Sequence, residues 1–313
     1  MLEYIVYGKI IIDKVRLRDG TIVGGLLGGG GPQGAFGARL WSKSVGFLSR
    51  SGTDIEPGAE EALRNLDIDL SGWVQYPDIP TAHGVMFYDE NEYMKSDVRA
   101  EAEMEALHNN LQRILARPLS LPESYRNPKV IHLITEYSQE QMVHDALRLR
   151  DEGAIFSLEP IIDYRKWTNR ESILELLPEV EIATPDWPSA SGFAGSEDPL
   201  EVMRYWAGLG PKLIAVRHGH NGSYVWDRDH NEFWHIPPVP VTVEDPTGAG
   251  NCYGGGLMVG WDKTRDALTA GCYGAISASF LVRCYGLPAM TQALEEEARS
   301  LLEPARESAQ RMA

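Results

Sequence analysis

The alternation of apolar and polar positions divides the chain into short β-type runs and longer helical ones. Residues 4–12 alternate and are rich in β-branched side chains, which predicts a strand. Within residues 15–27, Arg18-Asp19-Gly20-Thr21 is a hairpin signal between two β-compatible segments. Residues 44–49 predict another strand, and 57–66 a helix with apolar positions near 3.6 spacing. Residues 74–76 and 83–88 are β-like and flank Pro77 and Pro80, and Asp89-Glu90-Asn91-Glu92 reads as a turn. Helices and strands then alternate: helix 100–115, strand 129–135, helix 139–152 capped by Gly153, strand 154–158 leading to Glu159, helix 171–177 and strand 180–184. A helix at 199–209, stopped by Gly210-Pro211, and a strand at 212–217 follow. Residues 224–226 and 233–235 flank the turn Asp227-Arg228-Asp229-His230-Asn231. That turn opens like a calcium loop but lacks the glycine at its sixth position and has Pro238 at its twelfth. Residues 239–243 predict a strand, 266–281 a helix of small residues, and the tail from Thr291 a charged, solvated helix.

Strands alternating with helices at this spacing imply an α/β fold, a doubly wound, mostly parallel sheet joined by right-handed crossovers. No internal repeat or low-complexity linker interrupts the chain, so a single domain over residues 1–313 is expected.

Composition narrows the function. The 313 residues are 43% hydrophobic, enough for a large core, and carry a formal net charge of −16. That balance argues against a nucleic-acid partner, which calls for a basic face. It leaves room for an anionic cosubstrate, because a glycine nest or a metal reverses the field locally. Cys252, Cys272 and Cys284 show no C-x-x-C spacing and read as reduced thiols of a cytoplasmic protein. The start Met1-Leu2-Glu3-Tyr4 has no signal-peptide pattern, and no apolar run is long enough for a membrane span.

The chemistry concentrates in Asp245-Pro246-Thr247-Gly248-Ala249-Gly250-Asn251-Cys252-Tyr253, read as strand, glycine turn and helix. Glycines at such a junction let backbone N–H groups converge, and a helix start adds orphan donors and partial positive charge. This makes an anion site suited to phosphate. A simple strand-to-helix turn is the plainer reading of any short Gly-x-Gly. A dinucleotide-binding oxidoreductase would need Gly-x-Gly-x-x-Gly after the first strand, and here four glycines, Gly28 to Gly31, follow a hairpin instead. Asp13, at the end of the first predicted strand, faces the usual crevice of an open α/β sheet, or else starts a turn. His218 and His220 lie two apart on a turn with no third ligand evident, so they read as turn residues.

The longer string Asp-x-Thr-Gly-Ala-Gly closely resembles the C-terminal signature of the PfkB (ribokinase-like) kinases. In that family it ends in a catalytic Asp, where this chain has Asn251. The glycine run into Gln33 and the helix ending Ala38-Arg39-Leu40 resemble the family's first signature, with Gln33 in place of Asn. The resemblance implies a ribokinase-like fold with helices on both faces of the sheet and a small β lid at about 14–27 and 74–95. It implies transfer of the ATP γ-phosphoryl group to an alcohol of a sugar, nucleoside or similar small molecule, with Mg²⁺. Gly248, Ala249 and Gly250 would supply donors to the charge in flight, with Asn251 at the position of the base. Substrate would meet Asp13, Gly29, Gly30 and Gln33. The nucleotide would meet Arg217, Gly219, Gly222, Thr247, Ala275 and Ser279. Thr184-Pro185-Asp186-Trp187-Pro188-Ser189 stands where the family has Asn-x-x-Glu, which leaves Asp186 for the metal. Lid strands in the family often pair between subunits, so a homodimer is expected. Asn251 leaves three readings open: an active kinase in which the amide positions the alcohol, a pseudokinase acting as sensor or scaffold, or an introduced substitution.

Overall fold

A computed structural model describes residues 2–16, 21–87, 101–162 and 166–312. The chain opens with β1 (Tyr4–Tyr7), β2 (Ile11–Arg16), β3 (Ile22–Gly28), α1 (Gly31–Arg39), β4 (Val45–Gly52), α2 (Pro57–Arg64), β5 (Asp69–Tyr76) and β6 (Ala82–Met86). It continues through α3 (Glu101–Leu115), β7 (Val130–Thr135), α4 (Gln141–Asp151), β8 (Ile155–Pro160), α5 (Arg170–Leu176), β9 (Ile182–Ala183), α6 (Trp187–Ala194) and α7 (Pro199–Gly208). It closes with β10 (Leu213–Arg217), β11 (Ser223–Asp227), β12 (Glu232–Ile236), α8 (Ala249–Thr264), α9 (Ala267–Leu281), α10 (Gln292–Ser300), α11 (Leu302–Ser308) and β13 (Gln310–Arg311).

Ten strands form one sheet in the order β13-β12-β11-β10-β9-β8-β7-β1-β4-β5. From β10 to β5 every neighbouring pair is parallel, and β11, β12 and β13 extend the sheet antiparallel. A parallel sheet needs cover on both faces, and β1 shows how the sequence provides it. Tyr4 and Val6 enter a core with Phe36, Leu257 and Ile276 of α1, α8 and α9. Ile5 and Tyr7 enter the opposite core with Met142, Ile173 and Trp206 of α4, α5 and α7. The period of two sends successive side chains of one strand to different cores. The α1–α8 crossing is close because small residues line it: a Cβ on Gly37 would stand 2.0 Å from the Cys252 carbonyl oxygen. No helix among the described residues is long and apolar enough to cross a membrane.

Strands β2, β3 and β6 form a second, smaller sheet, with β3 antiparallel and β6 parallel to β2. The expected single strand over 4–12 is therefore two strands in two sheets. The chain leaves the large sheet after Tyr7, where Lys9 pairs with Gly30 and its carbonyl accepts from the Gly31 amide at 3.3 Å. Asp13 consequently lies in the small sheet and not at the end of a central strand. Residues 74–76, expected with the lid, run in β5, paired to β4 in the large sheet. The turns expected at Arg18-Asp19-Gly20 and at 89–92 lie outside the described residues.

Two further expectations are corrected, and one helix was not foreseen. Residues 239–243 form no strand: Pro237, Pro238 and Pro240 remove the donors a ladder needs, and the segment runs extended past α9 until the Glu244 amide reaches the Val282 carbonyl. The stretch that resembled a metal motif starts α6, with Asp186 as its N-cap. The tail is two helices and a strand rather than one solvated helix. Ala298 and Ala305 are buried, Glu295 pairs with Arg39 at 2.7 Å, and β13 covers the edge of β12.

Candidate active site

Helix α8 starts at Gly248, whose φ of 78° is open to glycine at little strain. A side chain there would also collide with Gln33, whose Cγ stands 2.3 Å from the Cβ position. Asp245 fixes the approach by accepting from the Thr247 amide at 2.9 Å. Of the three turn amides expected to converge, Ala249 is spent on the Pro246 carbonyl at 3.1 Å. The N–H groups of Gly248 and Gly250 have no partner among the described residues.

A cleft of about 390 Å³ opens on one side of this turn. Arg217, Gly219, Gly222, Ala275, Ser279 and Asp186 line it together with Ala249 and Gly250, whereas Thr247 does not. The small residues of α9 leave a shallow apolar wall, completed by the extended 239–243 segment. Asp186 caps α6 through one carboxylate oxygen, which accepts from the Ser189 amide at 3.2 Å, and its other oxygen has no partner among the described residues. His218 stacks on Trp187 at 4.1 Å as a packed ring, and among the described residues no three His, Cys, Asp or Glu side chains gather to hold a metal.

On the other side of the turn lie α1 and the small sheet. Gly30 (φ 83°) caps α1, and a Cβ on it would stand 2.8 Å from the Asn251 amide nitrogen. Gln33 is buried and donates to the Leu27 carbonyl at 2.6 Å, and its amide oxygen has no partner among the described residues. Gly29 packs on the Lys9 carbonyl. Asp13 is 1% exposed, and neither of its carboxylate oxygens has a hydrogen-bond partner among the described residues. The space around it is kept by Gly28 and Gly84, where a Cβ would stand 1.6 Å and 2.6 Å from those oxygens. Burial, and then the nearby charge of Asp245, push the Asp13 carboxyl up to about 7.

Between the two halves sits a residue the sequence reading left without a role. Glu159, at the C-terminal end of β8, is 3% exposed. One of its oxygens accepts from the Asn251 amide at 2.7 Å and from Arg217 at 2.8 Å. Its other oxygen is 3.8 Å from a ring nitrogen of buried His132, whose second nitrogen meets the Ser157 hydroxyl at 2.8 Å. Two departures from the family signatures, Asn251 and Arg217, thus converge on one carboxylate. The available signal was a carboxylate at the end of a parallel strand, where open α/β sheets place their ligands. Burial, reinforced by the Glu159 charge, pushes the neighbouring Cys252 thiol well up, so it is no nucleophile.

Comparison with known proteins identifies the family. Residues 3–293 match the model of the pfkB family of carbohydrate kinases. A cytidine kinase of Thermococcus kodakarensis is 30% identical over 266 residues, 85% of this chain and 90% of that protein. A fructoselysine 6-kinase of Shigella flexneri is 34% identical over 112 residues, 36% of this chain and 40% of its own. Among solved structures, a putative ribokinase II from E. coli in complex with ATP and Mg²⁺ superposes with a TM-score of 0.73 at 17% identity, covering 97% of this chain and 100% of that one. The nucleoside kinase of Methanocaldococcus jannaschii gives 0.70 at 20% identity, covering 97% and 99%. The chain belongs to the pfkB family of carbohydrate kinases.

Proposed function

We propose that the protein transfers the γ-phosphoryl group of ATP to an alcohol of a nucleoside or sugar. The observation that carries this reading is the placement of Asn251. It stands in the first turn of α8 beside Gly30, next to the Gly250 amide that edges the cleft, with the buried carboxylate of Asp13, unpartnered among the described residues, in the adjoining small sheet. Adenine fits against the small residues Ala275 and Ser279, and the triphosphate would run past Arg217 toward the amides of Gly248 and Gly250. Those donors are fixed before the reaction, so they stabilise developing charge without reorganising. Asp13 would accept from acceptor hydroxyls, with β2, β3 and β6 as a lid that excludes water from the phosphoryl group. Gln33, with its free oxygen, would hold a further donor of the acceptor.

Asn251 takes no proton at neutral pH. Glu159 binds its NH₂ group, which leaves the amide oxygen to accept from the attacking hydroxyl. Phosphoryl transfer proceeds through a loose transition state, so orienting the alcohol counts for more than early deprotonation. The free oxygen of Asp186, half-buried on the cleft wall, suits a water of a hydrated Mg²⁺, which binds few protein ligands directly. When bound, that ion would neutralise charge on the phosphates.

The test is ATP-dependent product formation with Mg²⁺ across nucleosides, cytidine first, and sugars. A phosphorylated acceptor is expected, together with a rise in melting temperature on adding ATP. Absence of product from every acceptor, with no thermal shift from ATP, ADP or GTP, would remove the proposal.

A further inference from the structure

The face of the sheet covered by α4 carries a second cavity, of about 660 Å³, between that helix and the segment after α3. It shares no lining residue with the cleft beside the glycine turn. Four arginines line it: Arg50 from β4, Arg117 and Arg126 from the segment after α3, and Arg148 from α4. One carboxylate, Asp145, also lines it, 3.5 Å from Arg148, so in a chain with a net charge of −16 the lining still reverses the sign locally.

The outer three have carboxylate partners near the surface. Arg117 meets Asp78 at 3.0 Å, Arg126 meets Glu123 at 2.9 Å, and Arg148 meets Glu152 at 2.9 Å. Exposed pairs of this kind contribute little and exchange readily. Arg50 differs. It is 6% exposed, and no carboxylate among the described residues lies within ion-pair distance. Among the described residues its hydrogen-bond contact is the Tyr7 hydroxyl at 3.4 Å, and its Nε has no partner there. The Tyr7 hydroxyl donates in turn to Glu140 at 2.5 Å. A guanidinium held out of water with one long contact is costly, and an anion placed against it removes that cost. The first residue of helix α4, Gln141, also lines the cavity, while its N-cap Glu140 accepts from the hydroxyls of Tyr7 and Thr135.

We propose that this cavity binds a phosphate group, either as inorganic phosphate or as the phosphate of a small monoester. A guanidinium fork gives such a group two parallel hydrogen bonds, and the outer arginines close over it. The site is independent of the phosphotransfer reaction and stands whether or not that assignment does.

Melting temperature is followed against inorganic phosphate, with chloride at matched ionic strength, for the natural chain and for Arg50→Met. Phosphate should stabilise the natural chain and leave Arg50→Met unmoved. No stabilisation of the natural chain overturns the proposal, and so does an equal shift in both, which would place the anion at the glycine turn. Where Arg50→Met fails to fold, the double variant Arg117→Ala/Arg148→Ala decides. Half-saturation raised by about tenfold or more, the order expected for lost charge-assisted bonds, supports the site, and an unchanged value overturns it. Glycerol 3-phosphate in a parallel series separates the sources: tighter binding than inorganic phosphate identifies a monoester, and equal or weaker binding identifies the free ion.

Discussion

At the scale of single residues, the site turns on three buried carboxylates, Asp13, Asp245 and Glu159. With Asp13 pushed up to about 7, the folded chain keeps a proton that the unfolded chain loses near the ordinary carboxylate range. The folded state then binds more protons over that interval, so stability should fall as pH rises from about 4 to about 7 and level off above. Asp13→Asn should flatten this trend in thermal melts, and an unchanged slope would count against it. The same titration bears on substrate. Above about 7 the carboxylate accepts from two hydroxyls, so KM for the acceptor should drop as pH passes that value while kcat moves less. Asn251→Asp is the obvious restoration of the family signature, but it sets a second carboxylate against Glu159 at the 2.7 Å contact. Two such groups ionise in separate steps, so the single variant should gain activity only toward alkaline pH. Adding Glu159→Gln should release it, with a neutral-pH rate above that of either single variant by up to the roughly 10²–10⁴-fold that a general base supplies. A double variant no faster than Asn251→Asp would show that Glu159 does not govern this position. The motifs made Asn251 and Arg217 legible because glycines frame them. Glu159 was hidden because a lone Glu before a Pro reads the same in a loop as in a site, and only the fold brings it to residues 58 and 92 positions away.

At the scale of elements, the sequence was clearest where helix periodicity and caps coincide, as in α4 ending before Gly153 and α7 starting at the Asp198 cap. It misled where local propensity meets a tertiary demand. The only mark of a break in the β-branched run at 4–12 is Gly8, and the break is fixed by Lys9 pairing with Gly30 and by Gly8 packing on Gly31. Helix α6 was overlooked although Asp186 followed by Trp-Pro is a good N-terminal signal, since the stretch had already been assigned to a metal motif. The small sheet raises a question of assembly. Ile22 on β3 is 50% exposed, a large apolar side chain facing solvent on a sheet of three strands. A homodimer through this sheet, which the family resemblance implies, predicts that light scattering gives twice the chain mass and that Ile22→Glu halves it. A natural chain that runs as a monomer would end that idea.

At the scale of the molecule, the alternation of helices and strands was enough to foresee a doubly wound sheet, because parallel neighbours require long crossovers whatever the side chains. The point at which the chain crosses from the large sheet to the small one was not foreseen, and it matters for selectivity. The few residues from Gly8 to Ile10 tether the small sheet to the large one and, through Lys9, also touch the glycine that caps α1 beside Asn251. A swing of the small sheet therefore tugs on the spot where the acceptor hydroxyl must be aimed. An ill-fitting acceptor that props this sheet ajar would still be held by its hydroxyls but would be misaligned with the phosphoryl donor. Discrimination among acceptors would then be exercised through turnover rather than through grip.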